Sequence, residues 1–194
     1  MSTLRPAVVR TIVGIVGAPG AGKSTIAALV VERLGPSAVL LPMDGFHLPQ
    51  ARLVELGRRE RMGAPDTFDV EGFVATLRAV RTAGVAVRAP AFNRETEAAV
   101  PDAIVITPAF RTVVVEGNYL LLDSGGWERV APLLDVSFFV DLDPDIRLAR
   151  LIERHQRFGK SPADARAWAT GPDEANARTI EATAHRADHR IRLG

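Results

Sequence analysis

The 194-residue sequence contains no cysteine, which excludes disulfides and thiolate metal sites. A cytoplasmic location is the matching expectation. Charge of one sign is also missing: 24 Lys and Arg against 23 Asp and Glu leave a net +1. So small an excess gives no global basic field, and neither nucleic acid nor an anionic membrane surface is expected as a partner. No apolar run approaches a membrane span, and the opening stretch "MSTLRPAVVR" lacks the long apolar core of a signal peptide. Fixed-period repeats and low-complexity tracts are absent too. What remains is an ordinary globular composition, 47% hydrophobic and 24% charged. Its length suits one domain, 1–194, with a substantial core.

Short, β-branched apolar runs bounded by turn residues stand at 11–18, 37–43, 111–118 and 135–142, with a weaker one at 85–90. Their nearly continuous apolar character suits strands buried on both faces of a parallel sheet. Helical patterns separate them: Lys23 to Leu34, Arg52 to Met62, Val70 to Ala83, Pro144 to Phe158 and Asp173 to Ala187. Strands alternating with helices of this length predict a doubly wound α/β layer structure. The stretch from Gly159 to Pro172 carries Gly, Pro and Ser between two helices and reads as part of a lid over 150–172.

Directly after the first run comes Gly17-Ala18-Pro19-Gly20-Ala21-Gly22-Lys23-Ser24-Thr25. It fills every position of G-x-x-x-x-G-K-[ST], between a strand and a helix. Glycines let backbone N–H groups approach phosphate oxygens, and the helix start adds its own N–H groups and positive dipole end. Lys23 can reach the β and γ phosphates of ATP, and the Ser24 hydroxyl can hold Mg²⁺. An ordinary Gly-rich turn is the bland alternative. A phosphate loop alone does not choose among a kinase, another nucleotidase and a regulatory nucleotide binder.

Two carboxylates stand at the ends of other runs. The second run ends in "MDGFH", delivering Asp44, and the run at 111–118 ends in Glu116. Ligands of parallel sheets gather outside the carboxyl ends of the strands. There Asp44 could accept the proton of an attacking hydroxyl, and Glu116 could hold Mg²⁺ or its water. An Asp-Gly turn and a locally satisfied strand-end carboxylate are the alternatives. Arg147, Arg150, Arg154 and Arg157 share one helix face at spacings of 3, 4 and 3, which equally describes a solvated basic face.

The phosphate loop, "MDGFH" at 43–47, "GAPDTFD" at 63–69, "VVVEGNYLLL" at 113–122 and "RLARLIERH" at 147–155 occur in one order. Together they resemble the uridine kinase, phosphoribulokinase and bacterial pantothenate kinase superfamily, over most of the chain. The resemblance is to its short members, named nucleoside/nucleotide kinase-like or fructose-transport-associated. It implies a three-layer P-loop fold with a mainly parallel sheet and a short helical lid. It also implies ATP and Mg²⁺, transfer to a hydroxyl of a small molecule, Asp44 as catalytic base, and lid arginines at Arg147, Arg150 and Arg154. Within that set Arg150 is the expected catalytic phosphate contact beside Lys23, Arg154 a second ATP contact, and Arg147 faces the substrate side. Self-association is common among such relatives, which leaves a homodimer open.

For the acceptor, Asp66 and Asp69 offer hydrogen-bond acceptors, Arg94 a cationic fork, and His47 a substrate contact or a structural histidine. Gly63 stands where uridine kinases carry an aspartate for the ribose, so a sugar or sugar-like compound is the leading expectation. Pantothenate and nucleosides are the alternatives.

Overall fold

Strand β1, Thr11–Gly17, is buried along all but its first residue because partners flank it on both sides. The computed structural model describes residues 10–82 and 84–193. The expectation about the N-terminal segment, and Ala83 as a helix end, fall outside the described residues. Five strands form one sheet in the order β2 (Ala38–Pro42), β5 (Thr112–Gly117), β1, β6 (Val136–Leu142), β7 (His189–Leu193). Every pairing in it is parallel. One face packs Val13, Ile15, Val114 and Val140 beneath helix α1, Lys23–Leu34, through Ala27, Ile26 and Val30. The other packs Ile12, Val16, Val113, Val115 and Phe139 with Phe73, Leu77 and Val80 of helix α3, Val70–Thr82. Burial on both faces is why these strands read as unbroken apolar runs rather than as alternation.

The doubly wound α/β expectation therefore holds, with differences in the connections. Arg52 to Met62 is not one helix: α2 spans Gln50–Glu55 and ends at Gly57, whose φ is 64°. A left-handed residue stops an α-helix, and a 3₁₀ turn at Arg59–Arg61 follows. The weak run at 85–90 is real but belongs elsewhere. It lies in β3, Val87–Asn93, which pairs antiparallel with β4, Ala98–Ile106, as a separate hairpin bulged around Pro90. Helix α4, Pro144–Arg157, starts under a cap from Asp143, whose Oδ1 accepts the Asp145 and Ile146 amides. The supposed loop after it contains helix α5, Pro162–Thr170, capped by Ser161. Helix α6, Pro172–Glu181, ends six residues before the expected Ala187. Among the described residues no helix is long and apolar enough to cross a membrane.

This topology sets the carboxyl edge. β5 lies between β1 and β2, and its register puts Glu116 opposite Ile15 and Pro42. The phosphate loop, Glu116 and Asp44 thus leave three adjacent strands at one edge.

Candidate active site

The phosphate loop closes on α1 with Gly22 as N-cap, at φ 92° in the left-handed region that glycine tolerates best. No side chain caps the helix, and the first intrahelical bond runs from the Ile26 amide to the Gly22 carbonyl at 3.1 Å. The amides of Lys23, Ser24 and Thr25 are therefore free of helical partners and available to an anion. Lys23 and Ser24 line a cavity of about 340 Å³ together with Arg150 and Arg154 of α4. Desolvation lowers the Lys23 pKa, while Glu116 and then Asp44 act to raise it. Ser24 Oγ donates to Glu116 Oε1 at 3.2 Å, and Glu116 Oε2 is buried without a partner. Burial pushes the Glu116 carboxyl up, opposed first by Lys23.

That orphaned oxygen is the test of whether a magnesium ion fits here. A buried carboxylate oxygen beside a hydroxyl is an incomplete set of hard oxygen donors, which a divalent cation or its water would complete. Among the described residues no cluster of three or more metal-ligating side chains exists. Magnesium does not require one, since it keeps several waters and shares phosphate oxygens. The residues fit the ion.

Asp44 opens the second half of the site. It sits in a 3₁₀ turn, Met43–Phe46, and its Oδ2 accepts Arg94 Nη2 at 3.0 Å. Oδ1 makes no hydrogen bond among the described residues. The glycine that follows is required by crowding: a Cβ on Gly45 would lie 2.2 Å from the Pro90 carbonyl oxygen. The Asp-Gly pair thus lets the β3–β4 hairpin press against the turn and bring Arg94 to Asp44. His47 is clasped between Phe68 and Phe92, with ring centroids at 4.1 and 4.6 Å. Its Nδ1 lies 2.7 Å from the Asp44 carbonyl oxygen, which can only accept, so Nδ1 carries the proton. Burial lowers the His47 pKa, which favours the neutral ring and leaves Nε2 as an acceptor.

Asp44, His47 and Arg94 line a cleft of about 160 Å³. Arg154 lines both this cleft and the phosphate cavity, makes no ion pair or hydrogen bond among the described residues, and has its pKa lowered by burial and then by Arg94. Arg150 lines only the phosphate side.

Three expected substrate residues are not brought to the cleft. Arg147 is 2% exposed, pairs with Glu174 and donates to the Pro19 carbonyl, which ties α4 to α6 and to the phosphate loop. Asp66 is held by Arg61, with Nη1 to Oδ1 at 2.6 Å, and by Arg58. Asp69 precedes α3 and accepts the Gly72 amide at 2.9 Å, a helix cap. Asp69→Ala is accordingly expected to lower the unfolding free energy by about 1 kcal/mol and leave kinetics unchanged. Urea unfolding curves recorded beside steady-state rates check both halves. Conversely, the cleft contains Asn118, His155, Asp173 and Asn176, which the sequence reading passed over. They come from three separated segments, of which the turn after Glu116 and the stretch ending in His155 carried a usable signal.

The sequence profile of the Phosphoribulokinase / Uridine kinase family matches residues 12–164. The chain belongs to this family. A solved structure from a Silicibacter species, provisionally described as a fructose transport system kinase, is 38% identical with TM-score 0.86. The match covers 98% of this chain and 93% of that one. A uridine kinase of Leuconostoc citreum is 33% identical across 74% of this chain and 67% of its own length. A pantothenate kinase of Leifsonia xyli is 34% identical across 67% of this chain but only 42% of itself. This member of the family is an ATP-dependent small-molecule kinase with the P-loop α/β fold.

Proposed function

We propose that this kinase transfers the γ-phosphoryl group of ATP to a hydroxyl of a sugar or sugar-like metabolite, with Asp44 as the base. The observation that carries this reading is the junction of two cavities: Asp44 lines the smaller, the phosphate loop the larger, and Arg154 lines both. The acceptor hydroxyl gives its proton to Asp44 Oδ1 while its oxygen attacks the γ phosphorus. The bond to the β–γ bridging oxygen breaks, and ADP leaves. Arg94 on Oδ2 fixes the carboxylate's orientation and leaves Oδ1 turned to that role. Ser24 and Glu116 would hold Mg²⁺, which when bound draws negative charge from the phosphate oxygens. Lys23 and Arg150 contact the nucleotide phosphates, and residues 150–172 act as the lid.

The lining of the cleft supports a polyhydroxy acceptor: Asp44, Asn118 and Asn176 offer hydrogen-bond acceptors and donors to several hydroxyls. The Silicibacter protein's description points the same way. ADP formation should be measured with Mg²⁺-ATP across ketoses, aldoses, glycerate, pantothenate and nucleosides. A sugar that raises ADP release is the expected result. Pantothenate or uridine acting instead would replace the acceptor class. Tight ATP binding with a flat panel would favour a regulatory nucleotide binder.

A further inference from the structure

One wall of the acceptor cleft is buried, polar and short of partners. Asp173 and Asn176 stand one turn apart on α6, each 8% exposed. Asp173 Oδ2 accepts His155 Nε2 at 2.7 Å, and its other oxygen makes no hydrogen bond among the described residues. The Asn176 amide makes none either: the residue is mostly buried, and its amide opens onto the cleft. Asn118, in the turn leaving β5, has a buried Oδ1 without a partner. A buried polar atom is almost always paired, so the orphaned Asn118 oxygen, beside an Asp173 oxygen and an Asn176 amide that open onto the same cavity without protein partners, points to a ligand.

The chemistry of the wall selects that ligand. A carboxylate oxygen and an amide oxygen call for O–H or N–H donors, and the Asn176 amide can give as well as accept. Asp173 disfavours an anionic group at this wall. Phe92, packed on His47, and Trp168, beneath the Lys160 ammonium, line the same cleft and add apolar area around a bound ring. We propose that Asn118, Asp173 and Asn176 form a second subsite, which binds hydroxyls of a neutral polyol remote from the one that reacts. His155 positions the Asp173 carboxylate. The inference rests on the sugar kinase reading and adds to it the groups that choose among sugars.

The test uses the full chain with Mg²⁺-ATP and D-fructose, D-glucose and D-ribose as probes. Asn118→Ala and Asn176→Ala each remove a side chain with no internal bond to lose, so thermal midpoints should stay at the wild-type value. For whichever sugar the wild type phosphorylates, acceptor KM should rise about tenfold in these two variants. In Asp173→Asn it should rise by up to about a hundredfold. The ATP KM should not move, and kcat should stay within about threefold. Each variant should also tolerate a deoxy analogue that the wild type rejects, because the hydroxyl's partner is gone. An unchanged acceptor KM in all three, with a sugar that the wild type does use, overturns the subsite and leaves the kinase reading standing. Silence of every sugar overturns both.

Discussion

Asp44→Asn should lower acceptor-dependent turnover by about 10²–10⁴-fold, the usual contribution of a general base. ATP affinity should be unchanged. Asparagine keeps the shape of the side chain and can still present an oxygen to Arg94, but it cannot take the proton of the attacking hydroxyl. The phosphate loop is on β1, and Asp44 reaches the site from β2, two strands away with β5 between. The substitution therefore leaves the loop's amides and Lys23 where they are. Stability should change little, since the Asp44 and Arg94 side chains are 27% and 44% exposed and such pairs contribute about 0–1 kcal/mol. Steady-state ADP release, an ATP-binding titration and a thermal melt separate these effects. Turnover within a few-fold of wild type would remove Asp44 as the base and shift attention to His47 Nε2. Lost ATP binding would mean that the turn supports the loop rather than the acceptor.

The parts of the molecule legible from sequence are those whose signal is contiguous. The phosphate loop is nine successive residues, and helix α1 falls where its pattern begins and ends. β1, β5 and β6 are readable because burial on both faces leaves few polar interruptions, Glu116 in β5 and Ser137 and Asp141 in β6. β4 escapes because it lies on the exposed hairpin, is mostly solvent-facing and contains Pro101 and Asp102. β7, His-Arg-Ile-Arg-Leu, is a sheet edge whose polar side chains hide a strand. In the 159–172 stretch the Ser161 cap and Pro162 mark a helix start, yet their composition reads as loop. The acceptor wall is different in kind. Asn118, His155 and the pair Asp173 and Asn176, one turn apart on α6, lie in three segments that no common motif joins, and only the fold brings them to one cleft. The arginine stripe shows the limit of periodicity: one helix face carries Arg147 into the core, Arg150 to the nucleotide side and Arg154 to the junction.

That division makes Arg154, rather than Arg150, the arginine with the larger catalytic effect. Arg154→Ala should reduce kcat by at least about 10²-fold, as expected when a donor aimed at charge developing on transferring oxygens is removed. Arg154→Lys should recover only part of the loss, because an ammonium lacks the planar fork. Arg150→Ala should mainly raise the ATP KM. The same side chain predicts a stability change of opposite sign. Arg154 is half-buried, has no ion pair or hydrogen bond among the described residues, and faces Arg94, which with burial lowers its pKa. Holding an unpaired cation there costs free energy in the empty enzyme. Removing it should therefore leave the thermal midpoint unchanged or raise it, even as activity collapses. An arginine with a purely structural role would show the reverse pattern, with a lower midpoint and kcat close to wild type. Measured side by side, the melt and the rate decide which it is. Addition of ATP adds a further contrast: the wild type should gain more thermal stability from the nucleotide than Arg154→Ala does, because only there does the waiting charge find its partner.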